Sequence, residues 1–273
     1  MNLKTFLRTF ASHTLNIIRN QISNVPDLQA NIKYKNIHKN ESCFILGSGN
    51  SIKNHNLKLL QDKIVITQNN FHSHEDIKTI KPTYHCVVPM YQSKECNNDW
   101  IEWFTSMERR LPYTKEFFLG LNAKAFVEKH NFFSFKRNYV QMGLYPLFMR
   151  KAFVDITKII MHIPTSLTQC LIIALYMGFS KIYLVGFDLN QPCIPKRENV
   201  RFYSYSPILN NKDEKKIEKE SRDTGEEWFY MWIIWKQLLL LRNYAESRKI
   251  QIYNVTEGGL LDCFERRSYE SVL

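Results

Sequence analysis

The stretch Glu41-Ser-Cys-Phe-Ile-Leu-Gly-Ser-Gly-Asn-Ser-Ile52 contains the pattern that decides the fold. Residues 43–46 predict a short buried strand, and the small residues 47–51 predict a tight turn. A helical pattern follows, with apolar positions at Ile52, Leu57, Leu59 and Leu60. A strand that ends in small residues before a helix presents bare backbone N–H groups, and the helix dipole makes that point attractive to phosphate. The turn is therefore a candidate phosphate site, although an ordinary strand–helix turn has the same pattern.

Similar units recur along the chain and predict an α/β fold. Residues 64–67, 84–88 and 116–119 are further predicted strands, and residues 100–110 are a predicted helix. A second helix–strand unit begins at Thr165, a predicted N-cap, and its helix ends at Gly178. The strand that follows, residues 181–185, leads into Asp188, and open parallel sheets bind ligands at such strand ends. We expect a Rossmann-like nucleotide-binding domain with a mostly parallel sheet, completed by a long helix over residues 226–247 and a last strand over residues 250–254.

The predicted organisation is one domain with a short N-terminal extension. Residues 1–40 are expected to be an amphipathic basic helix (1–22) and a polar linker (23–40), and residues 41–273 the domain. Two segments within the domain, 120–162 and 190–227, are candidate lids: the first an aromatic-rich helical insertion, the second a polar mobile loop. The N-terminal helix is equally suited to an anionic membrane surface and to packing on the domain. No stretch of the sequence has the length of a transmembrane span.

The excess of basic residues indicates which classes of partner the protein favours. Among 273 residues, 37 Lys and Arg stand against 26 Asp and Glu, a net charge of +11 that favours an anionic partner. The basic residues are scattered, and their densest run, 212–219, alternates with acidic residues, so we expect no nucleic-acid partner. Six cysteines without a C-x-x-C pair favour reduced thiols and a cytoplasmic location. His72 and His74 lack a third ligand in sequence, so no metal site is predicted.

Four short blocks share their order and spacing with a known pattern. Together they resemble two related groups: the bacterial lipooligosaccharide sialyltransferases that use CMP-sialic acid, and the MptE-like group. The latter is named for an archaeal 6-hydroxymethylpterin pyrophosphokinase and contains many proteins of surface-polysaccharide loci. The resemblance covers dispersed blocks of residues 41–265, namely Phe44-Ile-Leu-Gly-Ser-Gly-Asn-Ser-Ile52, Gln68-Asn-Asn-Phe71, Thr165-Ser166 with Gly178-Phe-Ser-Lys-Ile-Tyr-Leu-Val-Gly-Phe-Asp188, and Ile252-Tyr-Asn-Val-Thr-Glu-Gly-Gly-Leu-Leu261.

The resemblance implies a set of donor-binding residues. The turn would approach the nucleotide phosphate and ribose, Asn69 would contact the donor with help from Asn70, and the Thr165-Ser166 pair would cradle the carboxylate of the donor sugar. Tyrosine hydroxyls after Asp188 would stabilise the departing phosphate, with Tyr203 and Tyr205 as candidates. Simple structural roles remain open for each: turn formers for the asparagines, an N-cap for Thr165, a turn or cap for Asp188, and loop packing for the tyrosines. The full donor set is Gly47, Ser48, Gly49, Asn50, Ser51, Asn69, Asn70, Thr165, Ser166, Tyr205 and Glu257.

The sequence departs from the family at the general base. The sialyltransferases use a histidine in the loop after the Gly-x-Asp strand, and relatives often show His-Phe-Tyr there, whereas this chain has Arg201-Phe-Tyr203 and no histidine after His162. Asp188, Glu257 or an acidic residue of the loop is a candidate substitute, and Arg201 is a candidate for balancing phosphate charge. The expected catalytic set is therefore Asp188, Arg201 and Tyr203.

These features predict a glycosyltransferase of surface-polysaccharide synthesis, such as lipopolysaccharide or capsule. It would transfer a CMP-activated sugar, sialic acid or another nonulosonate, to a glycan acceptor, for which a lipid-linked glycan is one candidate, without a metal or other cofactor. Its expected location is cytoplasmic, and a peripheral position at the inner face of the cytoplasmic membrane stays open. Two alternatives remain: an MptE-like diphosphokinase that uses ATP and Mg²⁺, and a non-catalytic relative that binds a nucleotide or a partner.

Overall fold

The computed structural model describes residues 25–88, 97–143, 150–194, 201–203 and 223–273. The predicted N-terminal helix lies outside these residues, as do Tyr205 and most of the predicted lid at 190–227. Within the described part of the chain, no helix is both long and apolar enough to cross a membrane.

A nine-stranded sheet runs through the described residues, in the order β6-β5-β4-β3-β2-β1-β7-β8-β9. All of its pairings are parallel, which confirms the predicted α/β Rossmann-like fold. Because β1 pairs with both β2 and β7, the order of the strands reverses there, and the two turns that follow β1 and β7 lie side by side. The strands are β1 Ser42–Leu46, β2 Val65–Gln68, β3 Tyr84–Val87, β4 Glu116–Gly120, β5 Arg137–Met142, β6 Ile159–Ile160, β7 Lys181–Val185, β8 Gln251–Asn254 and β9 Glu265–Arg266.

Helices cover both faces of this sheet because successive side chains of each strand point to opposite sides. In β1, Cys43 and Ile45 belong to one buried cluster, and Phe44 and Leu46 belong to the other. The first cluster includes α5 and α6, and the second includes α2, α3 and α4. The helices are α1 Pro26–Gln29, α2 Ile77–Ile80, α3 Asn97–Arg110, α4 Lys124–Lys129, α5 Ser166–Met177 and α6 Thr224–Ser247.

The ends of α5 agree with the prediction from sequence. The Thr165 hydroxyl accepts a hydrogen bond from the Thr168 amide, as an N-cap does. Gly178 ends the helix with a φ of 82°, in the left-handed region that glycine adopts without a Cβ penalty. This unit leads directly into β7, the strand beside β1.

The predicted helix after the glycine turn is wrong. The segment forms two short 3₁₀ helices, Asn50–Asn54 and Leu57–Leu60, which are separated at His55 and Asn56. The Asn56 side chain accepts a hydrogen bond from the Lys58 amide and so starts a new turn. Leu59 is 49% exposed, which shows that the apolar spacing did not mark one continuous helical face. Because no α-helix begins here, no helix dipole favours a phosphate at this turn.

Two segments predicted from sequence to be a lid and a linker instead contribute to the sheet and its core. Residues 120–143 and 150–162 supply α4, β5 and β6 rather than a helical lid. Residues 25–40 are not a linker, because Leu28 and Tyr34 are buried against the sheet. The buried Asn31 also donates hydrogen bonds to the carbonyls of Tyr139 at 2.7 Å and Ile156 at 2.9 Å. In these segments the aromatic side chains thus pack in the core, and the Asn31 side chain forms hydrogen bonds to backbone carbonyls.

Candidate functional site

The turns after β1 and β7 contact each other at the point where the strand order reverses. The Gly47 amide donates to the Val185 carbonyl at 2.7 Å, and the Gly49 amide donates to the Gly186 carbonyl at 2.9 Å. The sequence predicted bare N–H groups at this turn. In the structure, these two N–H groups are hydrogen-bonded and join the two turns. The reversal point itself is where open α/β sheets form ligand crevices.

The glycines in these turns are required by close packing. A Cβ on Gly47 would lie 2.3 Å from the Gly186 carbonyl oxygen, and one on Gly49 would lie 2.6 Å from the Asp188 Cγ. Gly186 has a φ of 74°, and its added Cβ would lie 2.6 Å from the Ile52 Cδ1. The glycine pattern that resembles a phosphate loop thus allows two turns to pack closely against each other.

Asp188 is buried at this junction and joins both turns. One carboxylate oxygen accepts from the Ser51 hydroxyl, and the other accepts from the Ser51 amide at 3.2 Å. Its backbone carbonyl accepts from the Leu260 amide at 2.7 Å, which brings in the turn after β8. The residue predicted to be catalytic therefore joins three strand-end turns, two through its side chain and the third through its backbone carbonyl.

The tract containing Arg201 and Tyr203 packs on the glycine turn. Arg201 forms an antiparallel bridge with Gly49, and the Phe202 amide donates to the Ser48 carbonyl at 3.1 Å. The Arg201 guanidinium donates to the Tyr203 hydroxyl and faces its ring. The structure thus brings together two of the predicted catalytic residues with the predicted turn.

Asn69 follows β2 and is held in an unusual backbone conformation. Its φ is 45°, its Oδ1 accepts from the Val88 amide at 3.1 Å, and its carbonyl accepts from the His72 Nδ1 at 2.9 Å. Among the described residues its Nδ2 group has no hydrogen-bond acceptor. The neighbouring Asn70 accepts from the Trp103 indole. Asn69 therefore presents an amide donor one strand away from the glycine turn, roughly 5 Å in the direction across the sheet.

Thr165 and Ser166 begin α5, whose first turn reaches the same edge of the sheet. Gln169 in that turn donates to the carbonyls of Val87, at the end of β3, and Phe118, within β4, both at 3.2 Å. The Thr165 hydroxyl is used in capping, since it lies 3.4 Å from the Thr168 amide and 3.2 Å from its hydroxyl. The half-buried Ser166 is the member of the pair that the cap does not use.

Sequence reasoning missed several polar residues that this edge buries. Gln68 donates to the Leu46 carbonyl at 3.2 Å, and His85 lies 2.8 Å from the Thr67 hydroxyl. Burial lowers the pKa of His85 well below its usual value, so the ring is neutral. The sequence did contain a signal for them, because Gln68, His85 and Gln169 are polar residues that interrupt apolar stretches. Only the order of the strands in the sheet shows that they share one edge.

Glu257 lies on the exposed turn after β8, beside a histidine that the sequence did not single out. Its amide lies 3.4 Å from the His55 Nε2. Burial lowers the pKa of His55, while the carboxylates of Glu257, Glu270 and Asp188 act in the opposite direction. A histidine therefore stands near Asp188, but it comes from the segment after β1 rather than from the loop after β7.

The described residues contain no group of three or more His, Cys, Asp and Glu side chains arranged to hold a metal ion. The pair His72 and His74 is instead turned into the protein. The His74 ring stacks on Phe71 at 5.2 Å, and the His72 Nδ1 is engaged by the Asn69 carbonyl.

The fold resembles that of a solved glycosyltransferase. The MAf glycosyltransferase from Magnetospirillum magneticum AMB-1 superposes with a TM-score of 0.53 at 14% identity, covering 90% of this chain and 38% of that chain. At this identity the likeness establishes a common fold, and the present chain spans well under half of that protein. No protein-family model matches the sequence, and no curated protein matches it significantly.

Proposed function

We propose that this protein is a glycosyltransferase of surface-glycan synthesis that uses a CMP-activated sugar, sialic acid or a related nonulosonate. The observation that supports it most is the convergence, at one strand-order reversal, of the glycine turn, Asp188 and the Arg201–Tyr203 tract. The fold shared with a glycosyltransferase and the resemblance of four sequence blocks to the sialyltransferases point the same way.

The donor would lie across the carboxyl ends of β1, β2 and β7. The glycine turn lets the backbone approach closely, and the Asn69 Nδ2 group donates to a phosphate or sugar hydroxyl. The Asn50 Oδ1 has no partner among the described residues, which makes it a candidate acceptor for a ribose hydroxyl. Ser166 and the first amides of α5 would receive the sugar carboxylate.

The reaction would be a displacement at the anomeric carbon. An acceptor oxygen forms the new bond, the bond to the CMP phosphate breaks, and CMP leaves with the electron pair. Arg201 and the Tyr203 hydroxyl stabilise the charge that develops on the phosphate, so we expect no need for a divalent metal. Asp188 keeps the turns in place through Ser51. Among the described residues at this edge, His55 and Glu257 are the candidates to take the acceptor proton.

Purified protein incubated with CMP-sialic acid and a lipooligosaccharide or oligosaccharide acceptor should release CMP only when transfer occurs, and EDTA should not stop it. A thermal-shift panel of CMP-, UDP- and GDP-sugars and ATP with Mg²⁺ provides the first screen. Stabilisation by none of these nucleotides would refute the proposal. Stabilisation by ATP alone, dependent on Mg²⁺, would favour the diphosphokinase instead.

Arg201→Ala separates chemistry from stability. Arg201 is exposed, so we expect unfolding to be unchanged while kcat falls at least about tenfold, the usual scale for losing a charged hydrogen bond to a transition state. Lys181→Ala, which removes an exposed cation at the opposite end of β7, is the control and should leave kcat unchanged. His55→Gln and Glu257→Gln, compared by their pH–rate profiles, identify the base.

A further inference from the structure

A cavity of about 350 Å³ lies beside this site, between the 3₁₀ helix Asn69–Ser73 and α3. Its floor includes the buried side chains of Asn70 and His72, and one wall is the α3 face that carries Glu102, Thr105, Ser106 and Arg109. Because Asn70 directly follows Asn69, the cavity begins where the proposed donor site ends.

The floor of the cavity presents one hydrogen-bond acceptor, the Nε2 atom of His72, and the protonation state of this ring is fixed. The His72 Nδ1 lies 2.9 Å from the Asn69 carbonyl, which only accepts, so Nδ1 carries the ring proton. Burial lowers the pKa of His72 to about 4, and the Arg110 charge acts in the same direction, so the ring is neutral at pH 7. Its Nε2 therefore carries a lone pair, and no described residue donates to it.

The floor also presents a donor. The Asn70 Oδ1 accepts from the Trp103 indole, which fixes the orientation of the side-chain amide. Its Nδ2 group, which finds no acceptor among the described residues, is left to donate to a ligand.

The wall adds groups of both charge signs. Glu102 and Arg109 are exposed, and neither forms an ion pair with a described residue. Thr105 and Ser106 lie between them on the same helical face, at the spacing that places residues side by side. A phosphate would face the Glu102 carboxylate and the His72 lone pair, which disfavour it. Sugar hydroxyls donate and accept at once, and so match this mixture of donors and acceptors.

We propose that this cavity binds sugar units of the glycan acceptor, with hydroxyls donating to the His72 Nε2 and Glu102 and accepting from the Asn70 Nδ2 and Arg109. The assignment as an acceptor subsite rests on the proposed function. The binding of a glycan by the cavity is a separate claim that needs no catalysis.

The first test uses an array of immobilised hexose and N-acetylhexosamine di- to tetrasaccharides, with no nucleotide present. The wild-type protein should bind a subset of them, and Thr105→Trp, which blocks the cavity from its exposed rim, should abolish that binding. Arg109→Ala should weaken it about tenfold or more, the scale of a hydrogen bond to a charged group. Lys129→Ala, which removes an exposed cation at the end of α4, should bind as the wild type does.

The outcomes are distinguishable from those of the donor experiment. Absence of glycan binding by the wild type, or equal binding by Thr105→Trp, overturns the cavity assignment even if CMP-sugars bind. Glycan binding that depends on the cavity in a protein that binds no nucleotide sugar upholds the glycan site and refutes the transferase. In an active enzyme, Arg109→Ala should raise the KM for the acceptor and leave the donor KM unchanged; a parallel rise of both would mark a merely structural role.

Discussion

Both carboxylate oxygens of Asp188 accept hydrogen bonds from Ser51, and its backbone carbonyl accepts one from the Leu260 amide. The adjacent glycines pack so closely that they leave no room for a side chain. At the scale of single residues, the sequence singled out these positions for donor binding and catalysis, and the structure shows that they hold the turns together. Glycines at 47 and 49 indicated a phosphate turn, whereas the structure shows that they permit two backbones to approach each other. Residue spacing along one strand carries no information about the turn that packs against it.

Gly49→Ala should destabilise the fold by about 2 kcal/mol or more, because the new Cβ would lie 2.6 Å from the Asp188 Cγ and 2.7 Å from the Gly186 oxygen. Urea unfolding monitored by circular dichroism measures this. The matched control is Gly225→Ala in the first turn of α6, where the nearest atom to a Cβ is Asp223 Oδ1 at 3.2 Å. That change should be neutral or stabilising, since alanine favours a helix. Equal effects of both variants would contradict the packing role of Gly49.

Two buried histidines should make the protein less stable in acid. The folded-state pKa of His72 is lowered to about 4 by burial, and burial also lowers that of His85 well below the usual 6.5. Between about pH 4 and pH 6.5 the unfolded chain binds more protons, so stability is full above about pH 6.5 and falls as pH decreases towards 4. His72 alone corresponds to a loss on the order of 3 kcal/mol.

Urea unfolding of the wild type, His72→Gln and His130→Gln at several pH values in this window tests the assignment. His72→Gln should lose much of the pH dependence. His130→Gln, which changes a half-buried histidine outside this cluster, should keep it. A wild-type stability that does not change across the window would show that these rings are not buried neutral.

At the scale of elements, a helix predicted from sequence agrees with the structure where the sequence contains an N-cap, an apolar body and a C-terminal glycine. The helix α5 has a threonine N-cap, an unbroken apolar body and a left-handed glycine, and its predicted ends are confirmed. The segment after β1 has helical spacing but two asparagines flanking His55, and it forms two 3₁₀ helices instead. Side-chain capping at Asn56 competes with a continuous helix, and a short apolar pattern does not decide that competition.

The start of α5 allows capping to be separated from donor binding. Thr165→Ala should cost about 1 kcal/mol of stability through loss of the cap, and Thr165→Ser should restore it. Ser166→Ala should leave stability unchanged within about 0.5 kcal/mol but weaken CMP-sugar binding, since this hydroxyl is not used by the cap. Thermal unfolding and calorimetric titration together measure both effects. Unchanged donor affinity in Ser166→Ala would remove this residue from the proposed site.

At the scale of the whole molecule, an excess of basic residues should attract anionic ligands. With a net charge of +11, the affinity for CMP should fall when NaCl is raised from about 0.1 M to about 1 M, over which the Debye length shrinks from about 10 Å to about 3 Å. Cytidine, which lacks the phosphate, is the matched ligand and should bind with little salt dependence. The same decrease for both ligands in calorimetric titrations would contradict an electrostatic contribution from the phosphate.

The sequence by itself determined the strands β1 to β4, β7 and β8 and the capped helix α5, and it indicated which residues follow the strand ends, because these features follow from local apolar patterns and backbone preferences. Only the tertiary structure decided that β1 lies between β2 and β7, that residues 25–40, 120–143 and 150–162 belong to the sheet layers, and that Asp188 binds Ser51. It also decided that His72 faces a cavity beside Asn69. These are contacts between residues far apart in the chain, and their free energy depends on burial and pairing that no local pattern contains.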